Sequence, residues 1–270
     1  MRHAFTTPNG LAGWVTGSGP ALLLLHGGPG MTDYMDSLLP ELDGYQVASF
    51  QQRGVAPSIL AGPFDVPTLR DDVIAVIDTL GWAAPTMIGH SWGGHLLLHL
   101  MAATPTRVGA ALAVDPLGAV GDGGLAAFEV ELMRRLPEDT VARLRELDAI
   151  EATRPLTLAE RLEAMEIAWP GYFSRLEVAQ PIPQRGHAPD ESWGSIRAEL
   201  PALAERLRGC TVPIRFVHGA LDPLPVTASS DVAELLGATV DVLPGNGHFP
   251  WLEDPGCVRR SLDQLPATTG

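Results

Sequence analysis

The pentapeptide Gly89-His90-Ser91-Trp92-Gly93 stands between two stretches of different character. The residues before it, Thr86–Ile88, suit a short buried strand, and Trp92–Ala103 is mostly apolar over the length of a helix. A G-x-S-x-G pattern between a strand and a helix is typical of a sharp turn that exposes a serine above a sheet. Ser91 is therefore predicted to be a nucleophile.

On both sides of this turn, strand patterns alternate with helix patterns. The predicted strands are Ala21–Leu25, Gln46–Phe50, Thr86–Ile88, Val108–Val114, Pro213–His218 and Thr239–Leu243. The predicted helices among them are Thr68–Leu80, Trp92–Ala103 and Ala228–Leu236. This alternation predicts an α/β fold with a mostly parallel central sheet and helices on both faces.

Residues 119–206 break the alternation, because they carry helical patterns and no convincing strand. The predicted helices there are Leu125–Leu136, Glu138–Leu147, Leu158–Ala168 and Ser192–Leu207. We interpret 119–206 as a helical cap inserted between two late strands. Residues 1–118 and 207–270 then form the core.

Composition excludes several partners and chemistries. Acidic residues outnumber basic ones by 32 to 18, and the formal net charge of −14 argues against nucleic acids and anionic membranes as partners. All 18 basic residues are arginine, so chemistry that needs a lysine amine is excluded. The 2 cysteines are too few for a disulfide framework or a cysteine-rich zinc site.

The same features predict the location of the protein. No apolar run is long enough to span a bilayer, and the first residues lack the pattern of a secretory signal. Because few cysteines also suit a reducing compartment, we expect a cytoplasmic protein.

Two further residues complete a candidate catalytic triad in the chain order Ser, Asp, His. His248 lies in a glycine-rich loop beyond the last predicted strand, and such a loop can carry an imidazole over the end of the sheet. Asp222 follows the fifth predicted strand. Asp115 follows the fourth and is the alternative acid, since either strand end can reach the histidine.

A second glycine-rich loop, His26–Gly30, follows the first predicted strand. In sheets of this kind that loop supplies one backbone N–H to an oxyanion hole, and the residue after the nucleophile supplies the other. We expect Gly28 and Trp92 to be these donors, with Gly27 as the alternative to Gly28.

The sequence indicates neither a metal site nor an organic cofactor. His95 and His99 are spaced to share one face of the helix after Ser91. The residues between them lack the acid of a metalloprotease motif, and no third ligand is evident. We interpret both histidines as packing residues.

These motifs together resemble the α/β-hydrolase family, and within it the prolyl aminopeptidase (proline iminopeptidase) group. That group carries His-Gly-Gly-Pro-Gly, matched by His26–Gly30, and Gly-Gly-Ser-Trp-Gly-Gly, matched in part by residues 89–94. It also carries Asp-Gln-Arg-Gly, in which Gln51 here replaces the aspartate. The resemblance implies hydrolysis through a Ser-His-Asp triad and an acyl-enzyme, without a cofactor.

The resemblance also implies that carboxylates of the cap would hold the free α-ammonium of a substrate. The chemically possible counterparts are Glu163, Glu166, Asp190 and Glu191. An aromatic cluster of Trp169, Tyr172 and Phe173 either lines the substrate pocket or forms the core of the cap.

Three functions stay open at this point, and they differ in what the pocket should contain. An aminopeptidase-like enzyme predicts a cap carboxylate that faces the pocket. A carboxylesterase, a lactonase or another small-molecule acyl hydrolase predicts an apolar pocket without one. A non-catalytic ligand receptor is the remote third option. The expected partner is a small molecule or a short peptide, and the sequence does not indicate the oligomeric state.

Overall fold

The structure, a computed structural model, describes residues 1–183 and 189–266, with the backbone alone for Pro189 and Asp190. Within these residues eight strands form one sheet in the order β1-β2-β4-β3-β5-β6-β7-β8. They are β1 (His3–Thr6), β2 (Ala12–Gly17), β3 (Ala21–Leu25), β4 (Gln46–Phe50), β5 (Thr86–His90), β6 (Ala110–Val114), β7 (Ile214–Gly219) and β8 (Thr239–Leu243).

The strands from β4 to β8 in the sheet order run parallel, and β1 and β2 extend the sheet as antiparallel strands. Leu25 pairs with Gly89, and His90 pairs with Val114, so the loops after β3, β5 and β6 leave the sheet at one edge. Carboxyl ends of parallel strands are where ligands bind in such sheets. The predicted α/β class and its mostly parallel sheet are confirmed.

Continuous apolar runs form these strands because both faces of the sheet are covered. In β3, Leu23 and Leu25 belong to the hydrophobic cluster on one face, whereas Leu22 and Leu24 belong to the cluster on the other. All four leucines have no exposed surface. The strand alternates between two buried environments, so its sequence shows no polar alternation.

The helices of the described residues cover these faces. They are α1 (Val66–Leu80), α2 (Trp92–Ala103), α3 (Leu125–Arg135), α4 (Glu138–Glu151), α5 (Leu158–Ala168), α6 (Pro189–Leu207), α7 (Thr227–Leu236), α8 (Pro250–Glu253) and α9 (Cys257–Leu262). Short 3₁₀ helices span Met35–Glu41, Pro105–Arg107, Trp169–Tyr172 and Leu176–Val178. None of the helices in the part of the chain described combines the length and the apolar character that a bilayer span requires.

Two local differences from the sequence prediction have clear causes. α1 begins at Val66 rather than Thr68, because Asp65 caps it by accepting the Thr68 N–H at 2.8 Å. The strands β1 and β2 were not predicted. They are short and mostly exposed or half-buried, so they lack the apolar run that identifies a buried strand.

The predicted cap range 119–206 contains two kinds of helix. α3, α4 and α5 lie between β6 and β7 in the chain; α4 packs on α5, and both α3 and α5 pack on the turn at Trp169–Tyr172. α6 packs instead on α1 and α2, and its Ile196, Leu203 and Leu207 are fully buried in the core cluster that these helices share. α6 therefore belongs to the helical layer of the core, although its residues lie within the predicted cap range.

Candidate active site

Ser91 occupies a strained turn between β5 and α2. Its φ of 56° and ψ of −121° lie in a region that side-chain-bearing residues rarely adopt. The turn requires glycine on both sides, because a Cβ on Gly89 would lie 2.4 Å from the Gly93 oxygen, and one on Gly93 would lie 2.0 Å from the Leu25 oxygen. The Ser91 N–H donates to the Val114 carbonyl at 3.0 Å. These contacts hold the serine at the sheet edge.

His248 and Asp222 form a buried hydrogen-bonded pair beside this turn. Nδ1 of His248 lies 2.7 Å from Oδ2 of Asp222, and the other carboxylate oxygen accepts the Leu224 N–H at 2.8 Å. Burial opposes the ionised form of Asp222, but the electrostatic interaction with the His248 ring and its hydrogen bond hold the pKa of this carboxyl below its ordinary value. Asp222 is therefore an anion that orients the imidazole through its Nδ1 edge. Ser91 and His248 both line the same cavity.

Asp115, the alternative acid, has a different set of contacts. Its Oδ1 accepts the Gly219 N–H at 2.7 Å. The hydrogen bond to Nδ1 of His248 is made by Asp222 instead. Burial, together with the charge of the neighbouring Asp222, raises the pKa of Asp115 well above its ordinary value. Asp115 is thus a neutral acid next to the anion.

The two glycines of the loop after β3 that could supply an oxyanion donor differ in their contacts. Gly28 lines the cavity at a φ of 136°, which only glycine adopts readily. The N–H of Gly27 instead donates to the hydroxyl of Tyr34 at 2.8 Å, so it is already used. Trp92 lines the cavity as the first residue of α2, and the first N–H groups of a helix have no partner within it. Gly28 and Trp92 can therefore donate together.

Gln51 anchors this loop through both ends of its side-chain amide. Oε1 accepts the Asp33 N–H at 2.9 Å, and Nε2 donates to the Met31 carbonyl at 2.9 Å. The neighbouring Gln52 donates to the His26 carbonyl at 2.8 Å and accepts from the Trp92 indole at 3.0 Å. An ionised acid at position 51 could not donate to a carbonyl, so this chain uses the amide as a brace.

Replacing Gln51 by glutamate tests that brace. The variant keeps the shape but sets a carboxylate oxygen against the Met31 carbonyl, so we expect it to lose about 1–3 kcal/mol of unfolding free energy. Urea unfolding followed by tryptophan fluorescence measures the change. The exposed Gln264→Glu variant adds the same charge and should unfold like the parent. Equal stability of both variants would contradict the brace.

The cavity over Ser91 has an apolar and aromatic lining. It encloses about 610 Å³ of empty space, including its opening to solvent. The cap and α6 contribute Leu125, Phe128, Trp169, Tyr172 and Trp193, and the core contributes Met31, Tyr34, Leu117, Leu224 and Phe249. Among the lining residues in the described part of the chain, none carries a carboxylate.

The structure divides the predicted aromatic cluster. Trp169 and Tyr172 line the cavity. Phe173 lies behind them and stacks on Phe249, with ring centroids 4.9 Å apart and planes 9° apart. The cluster therefore serves both as part of the pocket wall and as the core beneath the cap.

The structure places Glu163 and Glu166 outside the lining of the cavity over Ser91. Both oxygens of Glu163 pair with Arg143, at 2.7 and 2.9 Å, on an exposed part of the cap. Glu166 lines a separate surface groove. Both lie away from the face of α5 whose Met165 and Ala168 are buried.

The other two predicted carboxylates, Asp190 and Glu191, lie in the first turn of α6. Glu191 accepts the Phe64 N–H at 3.0 Å and is absent from the cavity lining described above. The side chain of Asp190 lies outside the described residues.

Two groups of side chains contain residue types that bind metals, a cluster of two aspartates with one histidine and a pair of histidines. Carboxylate oxygens of Asp115 and Asp222 and a ring nitrogen of His218 lie within 4.8 Å of one another. Nε2 of His218 lies 3.1 Å from the Leu224 carbonyl, and Nδ1 lies 2.8 Å from the Ser229 hydroxyl. Because a carbonyl only accepts, Nε2 carries a hydrogen and is not a free ligand.

The second cluster is the pair predicted to be packing residues. His95 and His99 are buried and bond to each other, with 3.2 Å between their Nε2 atoms. Burial lowers the pKa of His95 to about 4, so its ring is neutral at neutral pH.

Several residues of the site were not predicted from the sequence. Tyr34 follows the predicted loop His26–Gly30, and Phe249 directly follows His248. Aromatic residues beside these motifs could have been predicted to line the pocket, as both do. Trp193 and Leu125 come from helices far away in the chain. No local pattern marks them, because only the packing of the cap brings them over Ser91.

Comparisons with known proteins agree with this geometry. The family model described as alpha/beta hydrolase fold matches residues 20–255. The AB hydrolase superfamily protein YfhM of Bacillus subtilis is 27% identical over 250 residues, which cover 82% of each chain. The structure of a proline iminopeptidase-related protein from Thermus thermophilus is similar with a TM-score of 0.71, at 20% identity over 98% of this chain and 96% of that one.

Proline iminopeptidase from Mycobacterium smegmatis is similar as well, with a TM-score of 0.68 at 21% identity over 97% of both chains. At such identities the structural likeness shows the fold alone, and it confirms the resemblance that the motifs indicated. Because the family model covers most of the sequence, this chain belongs to the α/β-hydrolase family and is a hydrolase.

Proposed function

We propose that this hydrolase is a serine esterase for small neutral esters with an apolar acyl group. The observation that carries the proposal is the lining of the cavity over Ser91, which is apolar and aromatic and offers no carboxylate among its described residues. An α-ammonium bound there would lose its hydration without gaining a counter-ion, which costs several kcal/mol. An apolar acyl chain gains about 0.8 kcal/mol for each methylene buried.

The proposed mechanism uses the contacts described above. His248 takes the proton of the Ser91 hydroxyl as the oxygen attacks the ester carbonyl. Asp222 orients the imidazole and stabilises its charged form, and the Gly28 and Trp92 amides donate to the oxyanion. The tetrahedral intermediate expels the alcohol, which receives the proton from His248.

Water completes the cycle. His248 deprotonates a water molecule that attacks the acyl-enzyme, and the second tetrahedral intermediate releases the carboxylic acid and restores Ser91. Asp115 stays neutral beside Asp222 throughout, since burial and its charged neighbour both disfavour ionisation.

The proposal also covers substrate and location. We place the substrate among small molecules rather than nucleic acids or membranes, in keeping with the net charge of −14. The cysteines Cys210 and Cys257 are both free thiols, which supports a reducing compartment such as the cytoplasm.

The direct test is a pair of chromogenic substrates. p-Nitrophenyl butyrate offers an apolar acyl group, and proline p-nitroanilide offers a free amine. We expect steady turnover of the butyrate and negligible turnover of the anilide, each corrected with the Ser91→Ala variant. Rapid release from the anilide, lost after N-acetylation, would instead establish an aminopeptidase.

Trp193 is expected to set the length of the acyl chain. It lines the cavity over Ser91, an outer vestibule near Arg197, and a hollow inside the cap near Leu132. Trp193→Ala should join these spaces and raise the octanoate to butyrate ratio of kcat/KM by about tenfold or more, since four further methylenes become buried. Trp193→Phe keeps a ring at this position and should keep the ratio. An unchanged ratio in Trp193→Ala would show that the chain takes another path.

A further inference from the structure

His90, the residue before the nucleophile, is a buried imidazole that the proposed mechanism does not use. It has no exposed surface and is absent from the described lining of the cavity. The rings of His248, Phe249, Trp251 and Tyr34 enclose it, with centroids 4.7, 4.9, 4.8 and 5.5 Å away. An apolar side chain would fill this space without a polar group to satisfy, so the imidazole calls for an explanation.

Both ring nitrogens of His90 make short contacts. Nδ1 lies 2.6 Å from the Tyr34 hydroxyl, and Nε2 lies 2.7 Å from the backbone carbonyl of His248. The Tyr34 hydroxyl also accepts the N–H of Gly27 at 2.8 Å. Three hydrogen bonds thus run without a break from the oxyanion loop, past the nucleophile turn, to the loop that carries His248.

Only one arrangement of hydrogens satisfies a neutral ring in this chain. The His248 carbonyl can only accept, so Nε2 of His90 carries the hydrogen and Nδ1 is an acceptor. Tyr34 therefore donates to Nδ1, and its oxygen accepts from Gly27. Burial lowers the pKa of His90 well below its ordinary value and raises that of Tyr34, so both groups stay neutral near neutral pH.

The bridge also explains why position 27 is a glycine. A Cβ there would lie 2.1 Å from the Tyr34 hydroxyl oxygen and 3.0 Å from the Ser91 Cβ. The loop therefore approaches Ser91 closely, with Tyr34 wedged against it.

We infer that Tyr34 and His90 are positioning residues, and that their hydrogen-bonded bridge holds the oxyanion loop and the His248 loop in register around Ser91. The inference rests on the proposed function, because it assigns the Gly28 amide and the His248 imidazole to the same reaction. The two loops are far apart in the chain, so a direct link fixes their separation. Misplacing a catalytic group by about 1 Å can cost about 100-fold in rate.

Tyr34→Phe is the first test, because it removes one oxygen and keeps the ring. It leaves the Gly27 N–H and Nδ1 of His90 without partners. We expect kcat for p-nitrophenyl butyrate to fall by about 10- to 100-fold, with KM changed by less than about twofold. Affinity for an apolar trifluoromethyl ketone, which forms a tetrahedral oxyanion on serine, should fall by a similar factor. Tyr45→Phe is the matched control, since Tyr45 lies beside Arg259, outside this bridge.

Two replacements of His90 separate the halves of the bridge. The amide nitrogen of His90→Gln can reach the place of Nε2 and still donate to the His248 carbonyl, but the link to Tyr34 is lost. The amide oxygen of His90→Asn can replace Nδ1 and accept from Tyr34, but the link to His248 is lost. Tyr34→Phe combined with either replacement should therefore cost little more than the worse single variant, because one missing contact already breaks the bridge between the two loops.

Active-site titration with a fluorophosphonate counts the folded, reactive enzyme in each variant. If kcat per titrated site in Tyr34→Phe stays within about twofold of the parent, the bridge does not position the site and the inference is overturned. If the parent hydrolyses no ester, the proposed function fails, and ¹⁵N NMR of the His90 ring still tests the bridge. A neutral ring with its hydrogen on Nε2 supports it, and a hydrogen on Nδ1 overturns it.

Discussion

Replacing Ser91 by alanine is expected to lower kcat for p-nitrophenyl butyrate by about 10⁵- to 10⁶-fold, because without the hydroxyl the acyl-enzyme cannot form. Ser91 is held at a φ of 56° by its glycine neighbours, and the smaller alanine fits the same turn, so the loss should be chemical rather than structural. Stopped assays with the parent and the variant at equal concentration measure the loss.

Covalent labelling supplies a second readout for Ser91. A fluorophosphonate should add one phosphonyl group to the parent, seen by intact mass spectrometry, and none to Ser91→Ala. Ser18→Ala removes an exposed hydroxyl in a loop and should label and turn over like the parent. Labelling that persists in Ser91→Ala would assign the nucleophile to another residue.

The second large effect separates the two buried aspartates. Asp222→Asn removes the anion that fixes His248 and can favour the wrong ring tautomer, so we expect kcat to fall by about 10⁴-fold. Asp115→Asn replaces a neutral acid by a neutral amide of similar shape, so kcat should fall by less than about tenfold. A large loss in Asp115→Asn with a small one in Asp222→Asn would reverse the assignment.

The same pair predicts a pH dependence of stability. Because the pKa of Asp115 is raised by folding, the native state keeps a proton that the unfolded state releases above the ordinary pKa of aspartate. The parent therefore loses stability as the pH rises through this window, and Asp115→Asn lacks that loss. Urea unfolding gives the free energy of unfolding of parent and variant near pH 5 and near pH 8. The value for Asp115→Asn minus that for the parent should be larger near pH 8. A constant difference would mean that Asp115 ionises normally.

Much of this molecule was predictable because its signals are local. The strand Ala21–Leu25, the turn at Ser91 and the histidine loop at His248 each depend on short patterns of apolar residues and glycine. Such patterns identify buried strands and sharp turns wherever they occur. They also fix the order of the elements, and hence which loops meet at the sheet edge.

The remainder depends on distances that no local pattern contains. Asp115 and Asp222 both follow strands, and only the fold shows which one meets His248. Glu163 matched the chemistry of an ammonium site, yet its partner is Arg143 on the preceding helix, which neutralises it on the surface. Contacts between side chains far apart in the chain decide both cases.

The central claim is that the pocket over Ser91 selects a neutral apolar acyl group. Methyl butyrate and methyl 2-aminobutyrate share a carbon skeleton and a leaving group and differ by one amine. The ratio of their kcat/KM values, measured by pH-stat below the pKa of the amine, therefore gives the effect of the ammonium charge on turnover. With no carboxylate in the described lining, we predict that the butyrate ester is preferred by about 100-fold or more. Preference for the amino ester would contradict the account and show that this pocket holds an ammonium.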